Sequence, residues 1–144
     1  MPTVARSRTI AAPQQQLWEL VSDPYHLPRW WPTVQRVEDV SEGAWTTVAT
    51  SSRGRAVRFD WSRVYSDPPE RIVWRQELAQ TPFERFLRES VTGVILSGAG
   101  ESTKVELRIA RKLRGLARLG GIQMRWAVRR EIDRALDGLE AVLA

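Results

Sequence analysis

The fold is decided by the last stretch of the sequence, GIQMRWAVRREIDRALDGLEAVLA, residues 121–144. Apolar residues recur there at helical spacing; they are Ile122, Val128, Ile132, Ala135, Leu136, Leu139, Val142 and Leu143. Charged residues fill the other sides, so the pattern predicts an amphipathic helix of about 22 residues, about 33 Å long. Because its apolar stripe must be buried, we expect the helix to pack into the concave face of a sheet.

The beginning of the chain predicts one strand followed by two short helices. Residues 3–10 alternate in the manner of a strand. Pro13 then occupies a favourable first-turn position for a helix. That helix ends at Ser22-Asp23-Pro24, since the residue before a proline is disfavoured in the α region. A second, shorter helical segment is predicted between Pro24 and Trp31.

The middle of the chain changes to a period of two, which predicts strands. We place them at residues 33–41, 45–52, 55–65, 71–78, 83–97 and 103–112. The joins between them are short and turn-like, and parallel crossovers need about a dozen residues or more, so neighbouring strands must be antiparallel. The sequence therefore predicts a single α+β domain over residues 1–144, in which a curved antiparallel sheet of about seven strands surrounds the long C-terminal helix.

Composition excludes several classes of function. The 144 residues are 42% hydrophobic and 27% charged, which is typical of a globular protein. The chain has no Cys and one His, which excludes disulfide frameworks, thiolate metal sites, cysteine nucleophiles and two-His metal motifs. We expect no metal and no cofactor. No apolar run is long enough to span a bilayer, and the first residues lack the core of a signal peptide, so we expect a cytoplasmic protein.

The positive charge is concentrated near the C-terminus. The net charge is +5, and nine cations face only two acids, Glu131 and Asp133, between Arg108 and Arg134. Arginine outnumbers lysine by 20 to 2, a codon bias expected of a GC-rich bacterium. The basic segment is a candidate surface for an acyl-carrier protein or an anionic membrane, and we do not expect nucleic acid to be the partner. Either a monomer or a homodimer is compatible with the sequence.

The order of elements is similar to the helix-grip fold of the START-like (SRPBCC) superfamily, and within it the chain resembles the bacterial polyketide cyclase/dehydrase family. Four stretches carry the resemblance: Ile10-Ala11-Ala12-Pro13 with Leu17-Trp18, Asp23 to Trp31-Pro32, residues 65–71 (YSDPPER) and residues 135–140 (ALDGLE). The resemblance implies a deep cavity between sheet and helix for an apolar ligand such as a polyketide, lipid or isoprenoid.

The seven tryptophans supply candidate ligand contacts. Trp30 and Trp31 are adjacent in a segment bounded by Pro28 and Pro32, so both can hardly enter the same core. The resemblance places this segment at the cavity mouth, which makes both residues candidates. Met124 and Val128 of the long helix are further candidates for the cavity wall, although ordinary packing would also explain them.

The strand at 55–65 gives the sharpest site hypothesis. Val57, Phe59, Trp61, Arg63 and Tyr65 share one face by alternation, and this face holds the bulky apolar groups. Phe59, Trp61, Arg63 and, on the next strand, Trp74 are therefore predicted to contact ligand. An inward guanidinium would need Glu77, Glu89 or a ligand oxygen as its partner; alternatively, Arg63 lies near the strand end and reaches solvent.

An enzymatic role would rest on Arg63 and Tyr65. In aromatase/cyclases of the resembled family an inward Arg is proposed to hold or polarise the polyketide chain, and Arg63 is similar to it. Those enzymes carry polar residues, usually an acid or a Tyr, where this chain has Thr33-Val34-Gln35. His26 is either a surface residue or a general acid or base. Three functions follow: apolar ligand binding, polyketide cyclisation or dehydration, and interaction through the basic segment.

Overall fold

The sheet has seven strands, all antiparallel, in the computed structural model, which describes residues 3–144. The strands are β1 (Thr3–Ile10), β2 (Arg36–Ser41), β3 (Ala44–Thr50), β4 (Ala56–Asp67), β5 (Arg71–Gln76), β6 (Leu87–Ala99) and β7 (Ser102–Leu113). Their spatial order is β1-β7-β6-β5-β4-β3-β2, so β2 to β7 form a meander and the N-terminal strand closes its far edge.

Three α-helices accompany the sheet: α1 (Gln14–Val21), α2 (Leu27–Trp30) and α3 (Gly121–Leu143). Short 3₁₀ helices occupy Pro24–His26, Pro82–Arg85 and Gly115–Gly120. The predicted α+β helix-grip architecture is confirmed, with two short helices after β1 and a final helix of 23 residues. Within residues 3–144, the helices are too short or too polar to cross a membrane.

The core lies between α3 and the sheet. Helix α3 buries one stripe, which consists of Val128, Ile132, Ala135, Leu136 and Leu139. The sheet contributes alternate residues of β7, which are Val105, Leu107 and Ile109, all fully buried. Period-two burial on the strand thus meets helical periodicity on α3, as the two sequence patterns predict.

Ion pairs fasten β1 to α3. Arg6 Nε lies 3.1 Å from Asp133 Oδ1, and Arg8 Nη1 lies 2.6 Å from Asp137 Oδ1 and 2.7 Å from Glu140 Oε1. The hydrogen bond that Arg8 donates to Asp137, with a further contribution from the one to Glu140, raises the pKa of the Arg8 guanidinium above its ordinary value. These half-exposed pairs fix the direction of the helix across the edge strand more than they add stability.

Two strands begin clearly later than the alternation predicts: β2 begins at Arg36 instead of residue 33, and β6 begins later as well. The pattern favours a strand from residue 83, but Pro82–Arg85 form a 3₁₀ helix and β6 begins at Leu87. Proline at the start of this segment has no N–H to donate to a ladder and is well suited to the first turn of a helix. The turn brings Phe83 over β4, where its ring stacks on that of Phe59.

Candidate functional site

A cavity of about 400 Å³ lies between the sheet and helices α2 and α3. Side chains from β3 to β7, the chain that follows α2, the 3₁₀ helix Pro82–Arg85 and α3 surround it. Six aromatic residues line it: Trp31, Phe59, Trp61, Trp74, Phe83 and Phe86. Both the volume and the aromatic lining are typical of sites that enclose a small molecule.

Five of these six aromatic residues belong to two groups; Trp61 is in neither. Edge-to-face contacts join Trp74 to Trp31 and to Trp45, with ring centroids 6.5 and 6.1 Å apart. The second group is Phe59 stacked on Phe83 at 4.9 Å, with Phe86 perpendicular to Phe83 at 6.0 Å. Because Phe86 both lines the cavity and is 41% exposed, the phenylalanine group marks its rim. The tryptophan group is buried and forms a rigid inner wall.

One ion pair lies in the wall of this apolar cavity. Arg111 Nη2 donates to Glu131 Oε1 at 3.1 Å, and the two side chains are only 20% and 19% exposed. The other carboxylate oxygen of Glu131 accepts from the Trp31 indole N–H at 2.9 Å. Glu131 therefore ties β7 to the segment after α2. A guanidinium has five N–H donors, so Arg111 keeps donors for a ligand oxygen.

Two further polar side chains on the sheet contribute to the cavity. The Trp61 indole N–H donates to Thr47 Oγ1 at 3.0 Å, so this pair satisfies itself. Gln76, at the end of β5, is 5% exposed, and among the described residues its Nε2 has no hydrogen-bond partner. An unpaired buried amide is costly, so Gln76 supplies an unused donor beside the cavity.

The chain matches a known protein family. The model of a family described as "Polyketide cyclase / dehydrase and lipid transport" matches residues 1–144. The chain belongs to this family. The resemblance to polyketide cyclase/dehydrase proteins is therefore confirmed. A search of the curated proteins finds no match to the chain.

Solved structures share the fold of this cyclase/dehydrase family member. The di-domain ARO/CYC BexL of the BE-7585A biosynthetic pathway has a TM-score of 0.80 and 23% identity over 98% of this chain and 46% of its own. The Zhui aromatase/cyclase of Streptomyces sp. R1128 has a TM-score of 0.73 and 20% identity, with coverage of 96% and 91%. A START superfamily protein from Mycobacterium smegmatis has a TM-score of 0.76 and 14% identity, over 96% of this chain and 94% of its own. The chain thus spans about half of the di-domain protein, and at these identities the likeness is one of fold.

The structure brings five of the eight predicted ligand-binding residues to the cavity. Its lining includes Trp31, Phe59, Trp61, Trp74 and Met124. The predicted strand face is correct up to Trp61, since alternation holds along the first half of β4.

Of the two adjacent tryptophan candidates, Trp31 lines the cavity and Trp30 does not. Trp30 is buried. Its backbone lies directly against Gly138 of α3, so closely that a Cβ on residue 138 would meet the Trp30 carbonyl oxygen. Both neighbours are buried in one core, against the expectation that they could hardly share it. Trp30 packs between α2 and α3, and Trp31 also lines the cavity.

For Val128 the structure agrees with ordinary packing, the alternative to a place in the cavity wall. Its side chain is 2% exposed in the core and does not line the cavity, although Met124, one turn earlier, does. Val128 belongs to the buried stripe that continues with Ile132, whereas Met124 and Glu131, two turns apart, lie on the neighbouring line along the helix. The cavity lies along the line of Met124 and Glu131.

Arg63 and Tyr65 do not line the cavity, and the exposure of Arg63 agrees with the alternative that it lies near the strand end and reaches solvent. A β-bulge between Arg63 and Tyr65 interrupts the alternation, so that Tyr65 pairs with Val73 and is exposed. Its ring lies under the Arg71 guanidinium, 5.3 Å from ring centroid to Cζ. Arg63 is exposed too. The carboxylates expected as its partners have other contacts: Glu77 contacts Ser62 and Arg75, and Glu89 contacts Lys112.

Sequence reasoning missed Arg111, Glu131, Gln76, Phe83 and Phe86 as cavity residues. A signal was present for Arg111, because the buried alternation Val105, Leu107, Ile109 continues onto it. His26 lies outside the cavity, with its ring near Asp23 at 3.8 Å and Arg29 at 3.2 Å. Within the described part of the chain, no group of three or more His, Cys, Asp or Glu is placed to hold a metal ion.

Proposed function

We propose that this protein binds a flat, largely apolar small molecule that carries oxygen, of the polyketide or isoprenoid kind, in the cavity. The observation that carries the proposal is the cavity itself, about 400 Å³ with six aromatic side chains in its lining. Aromatic walls favour fused-ring or conjugated ligands, and a few polar groups among them fix the orientation.

The polar groups specify where the ligand oxygens would lie. Gln76 provides an unused amide donor beside the inner wall. Arg111 provides guanidinium donors that Glu131 holds in place. A ligand with a carbonyl oxygen at each of these two positions would satisfy both, which suits an oxygenated ring system better than a simple hydrocarbon chain.

Native mass spectrometry of the protein purified from its own host tests this proposal. We expect a retained compound that organic extraction releases and that absorbs as a conjugated or aromatic molecule. Equilibrium dialysis of the emptied protein with 2-acetylnaphthalene provides a defined probe. An empty protein that also fails to bind this probe would overturn the proposal.

Replacing Gln76 by leucine should remove the preference for a ligand carbonyl. A hydrogen bond contributes about 0.5–1.5 kcal/mol net, so we expect the native protein to bind 2-acetylnaphthalene roughly threefold to tenfold more tightly than 2-ethylnaphthalene. Gln76→Leu should bind the two probes equally, because leucine offers no donor.

Equilibrium dialysis with both probes measures this difference directly. The hydrocarbon controls for cavity size, since its affinity should change little in Gln76→Leu. An undiminished preference for the ketone in the variant would show that Gln76 does not contact the carbonyl.

Cyclisation of a polyketide-like chain is a second candidate, favoured by the Arg111–Glu131 pair inside an apolar cavity. In that reaction a positioned guanidinium would polarise a substrate carbonyl. With a linear poly-β-ketone as substrate, Arg111→Gln should slow product formation roughly tenfold to hundredfold. Arg63→Ala and Tyr65→Phe should keep the native rate, since both residues lie outside the cavity; chromatography of the products measures all three.

A further inference from the structure

An exposed surface at residues 114–130 combines large apolar side chains with arginines. We name it the 114–130 patch; its apolar members are Leu116, Leu119, Ile122 and Trp126, which are 87%, 86%, 75% and 62% exposed. Its exposed arginines are Arg114, Arg118, Arg125, Arg129 and Arg130. A surface with four such apolar residues close together in sequence is uncommon on a free monomer and marks an interaction site.

The exposure follows from the way α3 leaves the sheet. The buried stripe of the helix begins only at Val128, so its first two turns carry Ile122 and Trp126 without a core to cover them. These two residues are one turn apart and share a side of the helix. In the preceding 3₁₀ helix, Gly115–Gly120, Leu116 and Leu119 are three residues apart and lie on one side as well.

The charge of the patch has one sign. No Asp or Glu occurs between Glu106 and Glu131. Within residues 3–144 none of the five patch arginines forms a salt bridge, whereas Arg108, Arg111 and Lys112 just before the patch do. Arg129 lies over the Trp126 ring at 5.8 Å, so the cation and the aromatic face are presented together.

We propose that the 114–130 patch docks the protein on an anionic lipid bilayer. Basic residues attract the anionic headgroups, the leucines and isoleucine enter the acyl boundary, and a tryptophan is suited to the interface between the two. The apolar members of the patch recur every three or four positions, and each has an arginine within three positions of it. That mixture fits a bilayer surface, where apolar and charged layers lie within a few ångströms of each other.

Two other occupants fit less well. A second copy of the chain would bring five unpaired arginines against five more, which repel. An acidic protein would satisfy the arginines, but burying several ion pairs among the apolar residues carries a desolvation cost that a hydrated layer of lipid headgroups does not impose. The proposal does not depend on the proposed function, although Met124 of the same segment lines the cavity and places the patch beside it.

Vesicle sedimentation with the full chain is the first test. We compare vesicles of phosphatidylcholine alone with vesicles that also contain phosphatidylglycerol. Binding should require phosphatidylglycerol and fall with added salt, since surface arginines act through electrostatic attraction. Equal binding to both vesicles, or none to either, would overturn the proposal.

Matched variants locate the contact. Leu116→Ser with Leu119→Ser should reduce vesicle binding at least tenfold, and Arg125→Gln with Arg129→Gln should reduce it by roughly fivefold for each arginine removed. Val64→Ser and Lys104→Gln, exposed residues outside the patch, should bind as the native chain does. Patch variants that bind normally would place the contact elsewhere.

Two measurements separate the alternatives. Trp126→Phe should remove the part of the fluorescence that brominated lipids quench, because Trp126 is the exposed tryptophan of the patch. Sedimentation equilibrium would detect a dimer if the patch binds a second copy of the chain, and Leu116→Ser with Leu119→Ser would then dissociate it. A dimer of this kind, found without vesicle binding, would overturn the proposal. If the patch variants keep the native affinity for 2-acetylnaphthalene in equilibrium dialysis, they are folded, and ligand binding is separate from vesicle binding.

Discussion

Replacing Gly138 by alanine should lower the free energy of unfolding by about 3 kcal/mol, the upper end of overpacking costs in a packed core. A Cβ at this position would overlap the carbonyl oxygen of Trp30 and lie 2.9 Å from its carbonyl carbon and 3.0 Å from its Cα. These are backbone atoms, so no rotamer change can relieve the contact. Helix α3 and the end of α2 must separate, which also disturbs Trp31 and its bond to Glu131.

Urea denaturation of this variant and of Gly121→Ala measures the effect. Gly121 is also in α3, but a Cβ there meets nothing within 4 Å. Alanine is up to about 1 kcal/mol more favourable than glycine in a helix, so this control should be neutral or stabilising. If Gly138→Ala were as stable as its control, α2 would not pack against α3 as closely as described.

The close approach at Gly138 shows what periodicity can and cannot predict. The apolar stripe of α3 and the alternation of seven strands were sufficient for the fold, because each is repeated along its element. A single glycine within the helical pattern is not part of any repeated pattern, so the sequence alone does not reveal its role. Its function depends on a segment more than a hundred residues earlier, which only the tertiary structure brings beside it.

The site was predictable where alternation is regular and unpredictable where it breaks. Phe59 and Trp61 precede the bulge of β4 and face the cavity as expected. Tyr65 follows the bulge, where a single inserted residue removes the parity on which its assignment depended. Arg63 precedes the inserted residue and stands opposite Trp74, but it is exposed and does not line the cavity. Arg111 was counted only as part of a basic segment, although its place on the buried face of β7 distinguishes it from its exposed neighbours.

Burial also separates the cations of the C-terminal third into two groups with different roles. Arg111 is mostly buried and bonded to Glu131, so it can act on a ligand within the cavity. Arg125 and Arg129 are exposed and without acidic partners in the described chain, so they can act on a surface outside it. Net charge alone cannot make this distinction, because both groups contribute equally to it.

Replacing Trp74 by alanine should cost about 3–5 kcal/mol of stability, the range for removal of a large buried aromatic residue. Trp74 is buried and contacts both Trp31 and Trp45 edge to face, so its ring joins the inner wall to the core. The space it leaves would adjoin the cavity and cannot collapse without moving those two rings. We therefore expect a large loss of stability together with a wider and less selective cavity.

Phe59→Ala is the matched comparison at the rim. Phe59 is half-buried and stacks on Phe83, so its removal should cost about 2 kcal/mol of stability, from the aromatic pair together with part of the burial of a Phe side chain, which is less than Trp74→Ala should cost. Its loss should nevertheless weaken 2-acetylnaphthalene binding severalfold, since a flat ring loses one face of its contact. Thermal denaturation and equilibrium dialysis of both variants distinguish the two roles. If Trp74→Ala lost affinity alone and kept its stability, the tryptophan group would be a ligand surface rather than the inner wall that holds the cavity open.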